Sequence, residues 1–309
     1  MGSMKRVVSI SLGASSRDKW AEIAILGQRI MIERLGTNGS LARFERLLRQ
    51  FDGVADVLCL GGINLGIHWG EKYFPYRYVQ KIVSGVRHGP VVDGSGLKRT
   101  LEPMTVQILA EKGLIDYSEC TCLFAGALDR YWLLEALSER CNEMIIGDLM
   151  FLLGLPVAID SMQQLQQWLP RLLPVIARMP HGCIHRTGRH GDEITPRFES
   201  CFDRADVIAG DFVTFRHCLP DDLSGRVIIT NTTTSDDEML LSERNVRLLV
   251  TTTPVIDRRA FATNVMEGVF VSLLNRPPED LGQEDYLYLA REMQWRPEIR
   301  WLTPGDANE

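Results

Sequence analysis

Asp93 and Lys98, five residues apart in Val91-Val92-Asp93-Gly94-Ser95-Gly96-Leu97-Lys98, are the side chains in this sequence best suited to move a proton. A lysine near a carboxylate, partly desolvated in a cleft, can hold or pass the proton of a substrate hydroxyl. The intervening glycines let a ligand approach the backbone closely. Ser95 lies in the same stretch and is expected on the substrate. The plain alternative is a glycine-rich turn with a solvated lysine, because spacing alone does not establish convergence.

A second stretch, Cys120 to Asp148, reads as strand, turn, helix and strand of a nucleotide-binding unit. Cys120 to Ala125 is a short apolar run, and Leu133, Leu134 and Leu137 recur at helical spacing within Tyr131 to Arg140. Asp148 follows the next run, Met144 to Ile146, about twenty residues beyond the turn, where a Rossmann-type fold places the carboxylate that binds a ribose. A carboxylate there favours NAD over NADP; Arg130 argues the other way. The turn, Gly126-Ala127-Leu128-Asp129-Arg130, holds one glycine where the dinucleotide fingerprint has three. A helix N-terminus still offers N–H groups and a positive dipole end to a phosphate, so NAD or NADP is the expected cofactor of these five residues and Asp148. The alternative is a simple βα turn at Gly126, with Asp148 capping the next element.

Thr230-Asn231-Thr232-Thr233-Thr234 and Thr251-Thr252-Thr253-Pro254 end two strands one βα unit apart. Hydroxyls and an amide clustered at the carboxyl edge of a sheet can bind a ribose, a carboxamide or a polyol, which adds Asn231, Thr232, Thr233 and Thr252 to the cofactor residues. Threonine is also β-prone and caps helices, and Thr234 or Ser235 precedes an acidic first turn. His185, His190, Asp192 and Glu193 lack tight ligand spacing, so no metal is expected. Cys120 and Cys122 share one strand face and read as core, and Cys201 and Cys218 are nucleophiles only if a base lies beside them.

The elements that must position these residues alternate between strand and helix. Arg6 to Leu12 reads as a buried strand, Ile23 to Glu33 as a hairpin turning at Gly27-Gln28, and Leu41 to Phe51 as an amphipathic helix ahead of the strand Val54 to Leu60. Tyr76 to Val86 is a helix, and Val91-Val92 delivers Asp93 to Lys98 to a strand end. Gln163 to Met179 reads as a helical pair broken by Pro170 and Pro174, followed by a polar stretch to Arg197. A helix is expected near Phe212 to Cys218, and Asn264 is expected to cap a helix running to Leu274. The expected fold is α/β in two lobes: an N-terminal α/β substrate domain over 4–116, a C-terminal Rossmann-like parallel sheet domain over 117–276 with a helical insertion near 160–197, and 277–309 packing back on the body.

With 309 residues, 45% of them hydrophobic, the chain has an ample core, while a net charge of -6 gives no footprint for a nucleic-acid backbone. No apolar run reaches the roughly twenty residues of a membrane span, and seven cysteines without a secretory leader imply free thiols, so the expected location is cytoplasmic. A small-molecule substrate is the expected partner, and a homodimer is left open.

VVSISLGASSRDK at Val7 to Lys19, LGGI at Leu60 to Ile63, VVDGSGLKRTLE at Val91 to Glu102 and AGDF at Ala209 to Phe212 form a pattern with IITNTTT at Ile228 to Thr234, TTTP at Thr251 to Pro254 and FATNVMEG at Phe261 to Gly268. Together they resemble a bacterial family commonly labelled quinate dehydrogenase, over nearly the whole chain. The resemblance to shikimate and quinate dehydrogenases implies a substrate domain, a Rossmann domain and a catalytic Lys and Asp. Lys98 is the nearest counterpart of that Lys, although the Asn-Val-Thr-x-Pro-x-Lys pattern is absent, and the Asp has no clear counterpart. Asn231-Thr232-Thr233 is similar to their Asn-Ala-Thr-Ser loop beside the nicotinamide ribose. Glu267 sits where their late helix carries a substrate-contacting Gln, and Asn264 on the same helix is placed with it. The implied function is an NAD(P)-dependent oxidoreductase of a small hydroxylated or carbonyl compound. Two alternatives stand beside it: an acyl-thioester reductase using Cys201 or Cys218, and a non-catalytic ligand-sensing protein.

Overall fold

The computed structural model describes residues 3–180, 194–253, 255–256 and 259–303. Its strands form two larger sheets, one in each lobe. The N-terminal sheet has the order β2 (Lys19–Ile25), β3 (Gln28–Gly36), β1 (Lys5–Ser11), β4 (Val57–Gly61), β7 (Val91–Val92). β3, β1, β4 and β7 run parallel, and β2 pairs with β3 as an antiparallel hairpin. Its turn residues Leu26 and Gly27 both have positive φ, which matches a two-residue turn to the twist of the strands.

The sequence of β1 explains how both faces of this sheet are covered. Side chains alternate along a strand. Val8 and Ile10 pack with Phe44 and Leu48 of α1 (Leu41–Phe51), whereas Val7 on the opposite face packs with Val265, Met266, Val269 and Phe270. Those four come from the helix Thr263–Leu274, far along the chain. Ala262, not Asn264, is the residue that precedes this helix, and Asn264 lies inside its first turn.

The C-terminal sheet has the order β15 (Glu298–Trp301), β12 (Leu248–Thr251), β11 (Val227–Thr230), β10 (Val207–Gly210), β8 (Thr121–Ala125), β9 (Glu143–Ile146). All are parallel except β15, which pairs antiparallel with β12 at one edge. β8, β10, β11 and β12 are almost wholly apolar because they are buried on both faces. Counted from β8 the parallel strands run 2-1-3-4-5, so the winding reverses between β8 and β10. Ligands of open α/β sheets collect at the carboxyl side of such a switch.

Several elements depart from the sequence expectation. Ser95 to Lys98 are not a loop: they form the first turn of α3 (Ser95–Glu111). Prolines 170 and 174 do not break the chain into two helices. A single helix, Met162–Ile176, runs through both, with Leu165, Leu169 and Leu173 buried on one side. The expected helix near Phe212 to Cys218 is one α-turn, Phe212–Phe215, continued by a 3-10 turn. A small hairpin, β5 (Gly66–Trp69) with β6 (Lys72–Pro75), was hidden by its glycine and aromatic content. His185, His190, Asp192 and Glu193 lie outside the described residues.

Candidate active site between the lobes

Helix α3 begins where β7 ends, and its first turn organises the site. Asp93 accepts hydrogen bonds from the Leu65 N–H (2.6 Å) and the Ser95 N–H (3.0 Å), tying the strand end to the loop after β4. Gly94 has φ of 99°, and a side chain there would press on the Asn264 amide nitrogen at 3.1 Å. Glu267, almost fully buried, accepts from the N–H groups of Gly94 (2.5 Å) and Gly96 (2.9 Å) and from the Tyr286 hydroxyl (3.2 Å). A carboxylate facing the start of a helix meets its orphan N–H groups and the positive end of its dipole. Burial, together with the charge of Asp93, still pushes the Glu267 carboxyl up to about 7, against the three hydrogen bonds that lower it. The structure therefore gathers Asp93, Ser95 and Glu267 around one helix start. Asn264 stands beside Gly94 with its amide on Ser9 Oγ at 3.0 Å.

Lys98 lies one turn further on and is only 5% exposed. Its Nζ is 2.6 Å from Asp129 Oδ1 and 3.4 Å from Asn64 Oδ1. The Asn64 amide in turn donates to Asp129 Oδ1. Asp93, the carboxylate expected to face Lys98, is engaged with backbone amides instead. Burial acts to raise the Asp129 carboxyl, but the charges of Lys98 and Arg130 and the bonds from Lys98 and Asn64 outweigh it and hold it well below the usual carboxylate range.

Glu102, one turn beyond Lys98, meets Arg130 in a buried ion pair. Positions i and i+4 of α3 thus grip consecutive residues of the Gly126 turn with opposite signs. Arg130, expected to bind a cofactor phosphate, is 2% exposed and directed at Glu102, with Nε 3.5 Å from Asp129.

The turn itself is held from within. The Gly126 and Ala127 N–H groups donate to Asp148 at 3.2 and 2.9 Å, and those of Asp129 and Arg130 donate to the Gly126 carbonyl at 3.0 and 2.9 Å. Asp148, the expected ribose ligand, has both oxygens on these amides, and burial pushes its carboxyl up to about 6. The following helix, α4 (Tyr131–Ser138), has its first residues under the β5–β6 hairpin. Tyr131 packs against Trp69 and Trp132 against His68 in tilted ring pairs, with centroids 4.8 and 4.9 Å apart.

A small cavity opens beside Asp129 and Asn64, bounded by Ser95, Leu128, His68 and Trp132. Burial lowers the His68 pKa, which favours its neutral ring. Sequence reasoning missed Asn64, His68 and Trp132. Asn64 follows the Gly61-Gly62 strand end, but only the fold shows which strand ends adjoin.

The two threonine-rich loops are neighbours, as expected from adjacent parallel strands. The Thr252 and Thr253 N–H groups donate to the carbonyls of Thr230 and Asn231 at 2.8 and 3.1 Å. Thr230 donates its hydroxyl to Asn231 Oδ1 (3.1 Å), Thr233 pairs with Glu238 (3.2 Å), and Thr252 is buried. Thr232, between Asn231 and Thr233, is half-buried. Thr234 is the helix cap, in a capping box with Asp237.

Cys218 is buried and its thiol is pushed up by burial; Cys201 lies 3.8 Å from Met150 Sδ. A raised thiol is the opposite of what a working nucleophile needs, which argues against Cys218 in that role. Among the described residues no group of three His, Cys, Asp or Glu side chains is placed to hold a metal, and no helix is long and apolar enough to cross a membrane.

Two family models divide the chain at the start of α3: a domain of unknown function, DUF8753, matches residues 6–93, and another, DUF8754, matches residues 96–302. No curated protein matches. Among solved structures, a galactofuranose binding protein is 10% identical with a TM-score of 0.40, covering 96% of this chain and 95% of that one. The NAD-dependent malic enzyme of Thermotoga maritima is 11% identical with a TM-score of 0.37, covering 94% and 84%. A glutamate dehydrogenase is 12% identical with a TM-score of 0.36, covering 86% and 64%.

Proposed function

The chain belongs to the DUF8754 family, and we propose that it is an oxidoreductase-type enzyme acting on a small hydroxylated or carbonyl substrate, quinate- or shikimate-like, with Lys98 as the proton-transferring group. The observation that carries this reading is the buried Lys98 Nζ, 2.6 Å from Asp129 and within reach of Asn64, at the edge of a cavity. Asp129 stabilises the ammonium, and Asn64 fixes the direction of the Asp129 oxygen. A substrate oxygen entering beside Nζ would exchange a proton with it, and hydroxyls of the same molecule could reach Ser95 and Asp129. The Asp129 carboxylate serves to hold the Lys98 amine in position at the cavity edge.

NAD or NADP would supply the hydride half of such chemistry, but the Gly126 turn does not fit a pyrophosphate as it is folded. Four of its amides are engaged by Asp148 and the Gly126 carbonyl, and Arg130 is neutralised by Glu102. A dinucleotide in this lobe would have to rest on Asn231, Thr232, Thr233 and Thr252 instead, or open the turn. That observation favours a second reading, a ligand-sensing protein whose nucleotide site has closed.

A thermal-shift series with NAD, NADP and their reduced forms, alone and with quinate or shikimate, separates the two. The enzyme reading expects a rise in melting temperature with one dinucleotide and its loss of oxidation activity in Lys98→Ala. No shift with any dinucleotide, together with a shift from the small molecule alone, would leave the sensor.

A further inference from the structure

Three cysteines gather at the amino-terminal edge of the C-terminal sheet, away from the candidate active site. β8 and β9 start side by side with Thr121 opposite Glu143, so Cys120 and Cys141 lie just ahead of neighbouring strands. Cys120 and Cys122 point to one face of β8. Helix α4 covers that face, and Cys141 follows its end with its N–H on the Leu137 carbonyl at 2.8 Å. Cys122 is buried in one cluster with Leu133, Leu134 and Leu137, and the half-buried Cys120 and Cys141 pack against it. Cys122 and Cys141 are partners, sulfur to sulfur, between strand and helix end. Contact with Cys122 pulls the Cys141 thiol down and the Arg140 charge adds to it, against the effect of burial, while the same contact and burial push the Cys122 thiol up.

Tyr117 closes the cluster. Its carbonyl accepts the N–H groups of Cys120 and Asn142, both at 3.2 Å, which ties the starts of the two strands together. The residue is 5% exposed, and its hydroxyl has no hydrogen-bond partner among the described residues. Burial, then Cys141 and Cys122, push that hydroxyl up, so it keeps its proton and can donate it to an acceptor on sulfur. A buried hydroxyl left unpaired is costly, which favours any chemistry that brings it a partner.

We propose that Cys141 and Cys122 are a redox pair that reduces hydrogen peroxide and becomes a disulfide, with Cys141 attacking, Cys122 resolving and Tyr117 donating to the oxygen held on Cys141. Half-burial favours so small an oxidant. The Cys141 thiolate attacks one peroxide oxygen; the sulfur–oxygen bond forms, the oxygen–oxygen bond breaks, and the hydroxide that leaves takes up the proton Cys141 gave up. Cys122 then attacks the Cys141 sulfur, and the displaced hydroxide leaves with the Cys122 proton as a second water. The two thiols lose two electrons and the peroxide is reduced to two waters.

The test treats the whole protein with a small excess of hydrogen peroxide, blocks the remaining thiols with N-ethylmaleimide under denaturing conditions and maps the peptides without reduction. The expected product is a Cys122–Cys141 cross-link that dithiothreitol reverses, with Cys59, Cys201 and Cys218 alkylated. Cys141→Ser should abolish the cross-link. Cys122→Ala should stop at a Cys141 sulfenic acid that dimedone traps, and circular dichroism of each variant separates loss of fold from loss of chemistry. Tyr117→Phe should slow cross-linking about tenfold, the worth of one hydrogen bond to a charged group. Free Cys122 and Cys141 in the treated wild type would overturn the proposal, as would a bridge from Cys141 to Cys120 or faster oxidation of Cys201. An unchanged rate in Tyr117→Phe would overturn the role given to its hydroxyl.

Discussion

Lys98 on α3 and Asp129 in the Gly126 turn meet at 2.6 Å, joining the helix that leaves the N-terminal sheet to the first βα turn of the C-terminal one. If Lys98 handles the substrate proton, Lys98→Ala should lower turnover by about a hundredfold or more, and Lys98→Arg should not restore it, since a guanidinium holds its proton too firmly. Steady-state rates on the substrate that emerges from the thermal-shift series check this. Near-normal turnover in Lys98→Ala would reduce the pair to a bridge between lobes.

The pair also has a structural value that needs no substrate to measure. Lys98→Met leaves the Asp129 carboxylate short of a partner in a half-buried position, which should cost about 2 kcal/mol, and adding Asp129→Asn should recover part of it. Urea denaturation of the four members of the double-mutant cycle gives the coupling. A coupling near zero would mean that water replaces the lysine at no cost.

Glu102 and Arg130 are more deeply buried, at 1% and 2% side-chain exposure. Arg130→Met should therefore destabilise by about 3 kcal/mol, and Arg130→Met with Glu102→Leu should lie closer to the wild type than either single change. Guanidinium titrations decide this, and an additive double variant would contradict it.

Glu267 links stability to pH. Its folded pKa of about 7 lies above the ordinary 4.5, so its contribution is fully present below about 4.5 and is lost as pH rises toward 7. The wild type should lose on the order of 3 kcal/mol relative to Glu267→Gln across that window. Stability curves of both proteins at pH 4.5, 6 and 7.5 test it, and parallel curves would show that the carboxylate is held ionised throughout by Gly94, Gly96 and Tyr286.

The two-lobed α/β plan was legible because alternation in β1 and unbroken apolar runs in β8, β10 and β11 are strong local patterns. The candidate site was legible only in part. Lys98 was singled out with Asp93, nearby in sequence, as its partner, whereas the fold sets Asp129 from another strand end beside it. Asp148 was singled out by its distance from the turn, a spacing equally consistent with a ribose ligand and with the acceptor of the Gly126 and Ala127 amides. Glycines on both sides of Ser95 concealed the start of α3. Gly94 caps it, and Gly96 leaves room for Glu267, since a Cβ there would lie 2.5 Å from the carboxylate.

The cover of the N-terminal sheet comes from the far end of the chain, and this sets an order on its biosynthesis. Val7, Val57 and Cys59 emerge from the ribosome long before Val265, Met266, Val269 and Phe270, which bury them. At roughly 5–20 residues per second, that face of the sheet stays bare while the five parallel strands of the second sheet are being made. The first lobe to be translated thus waits for its cover until after the parallel strands of the second, and a nascent chain arrested before Thr263 would present an apolar sheet face to chaperones or to other chains.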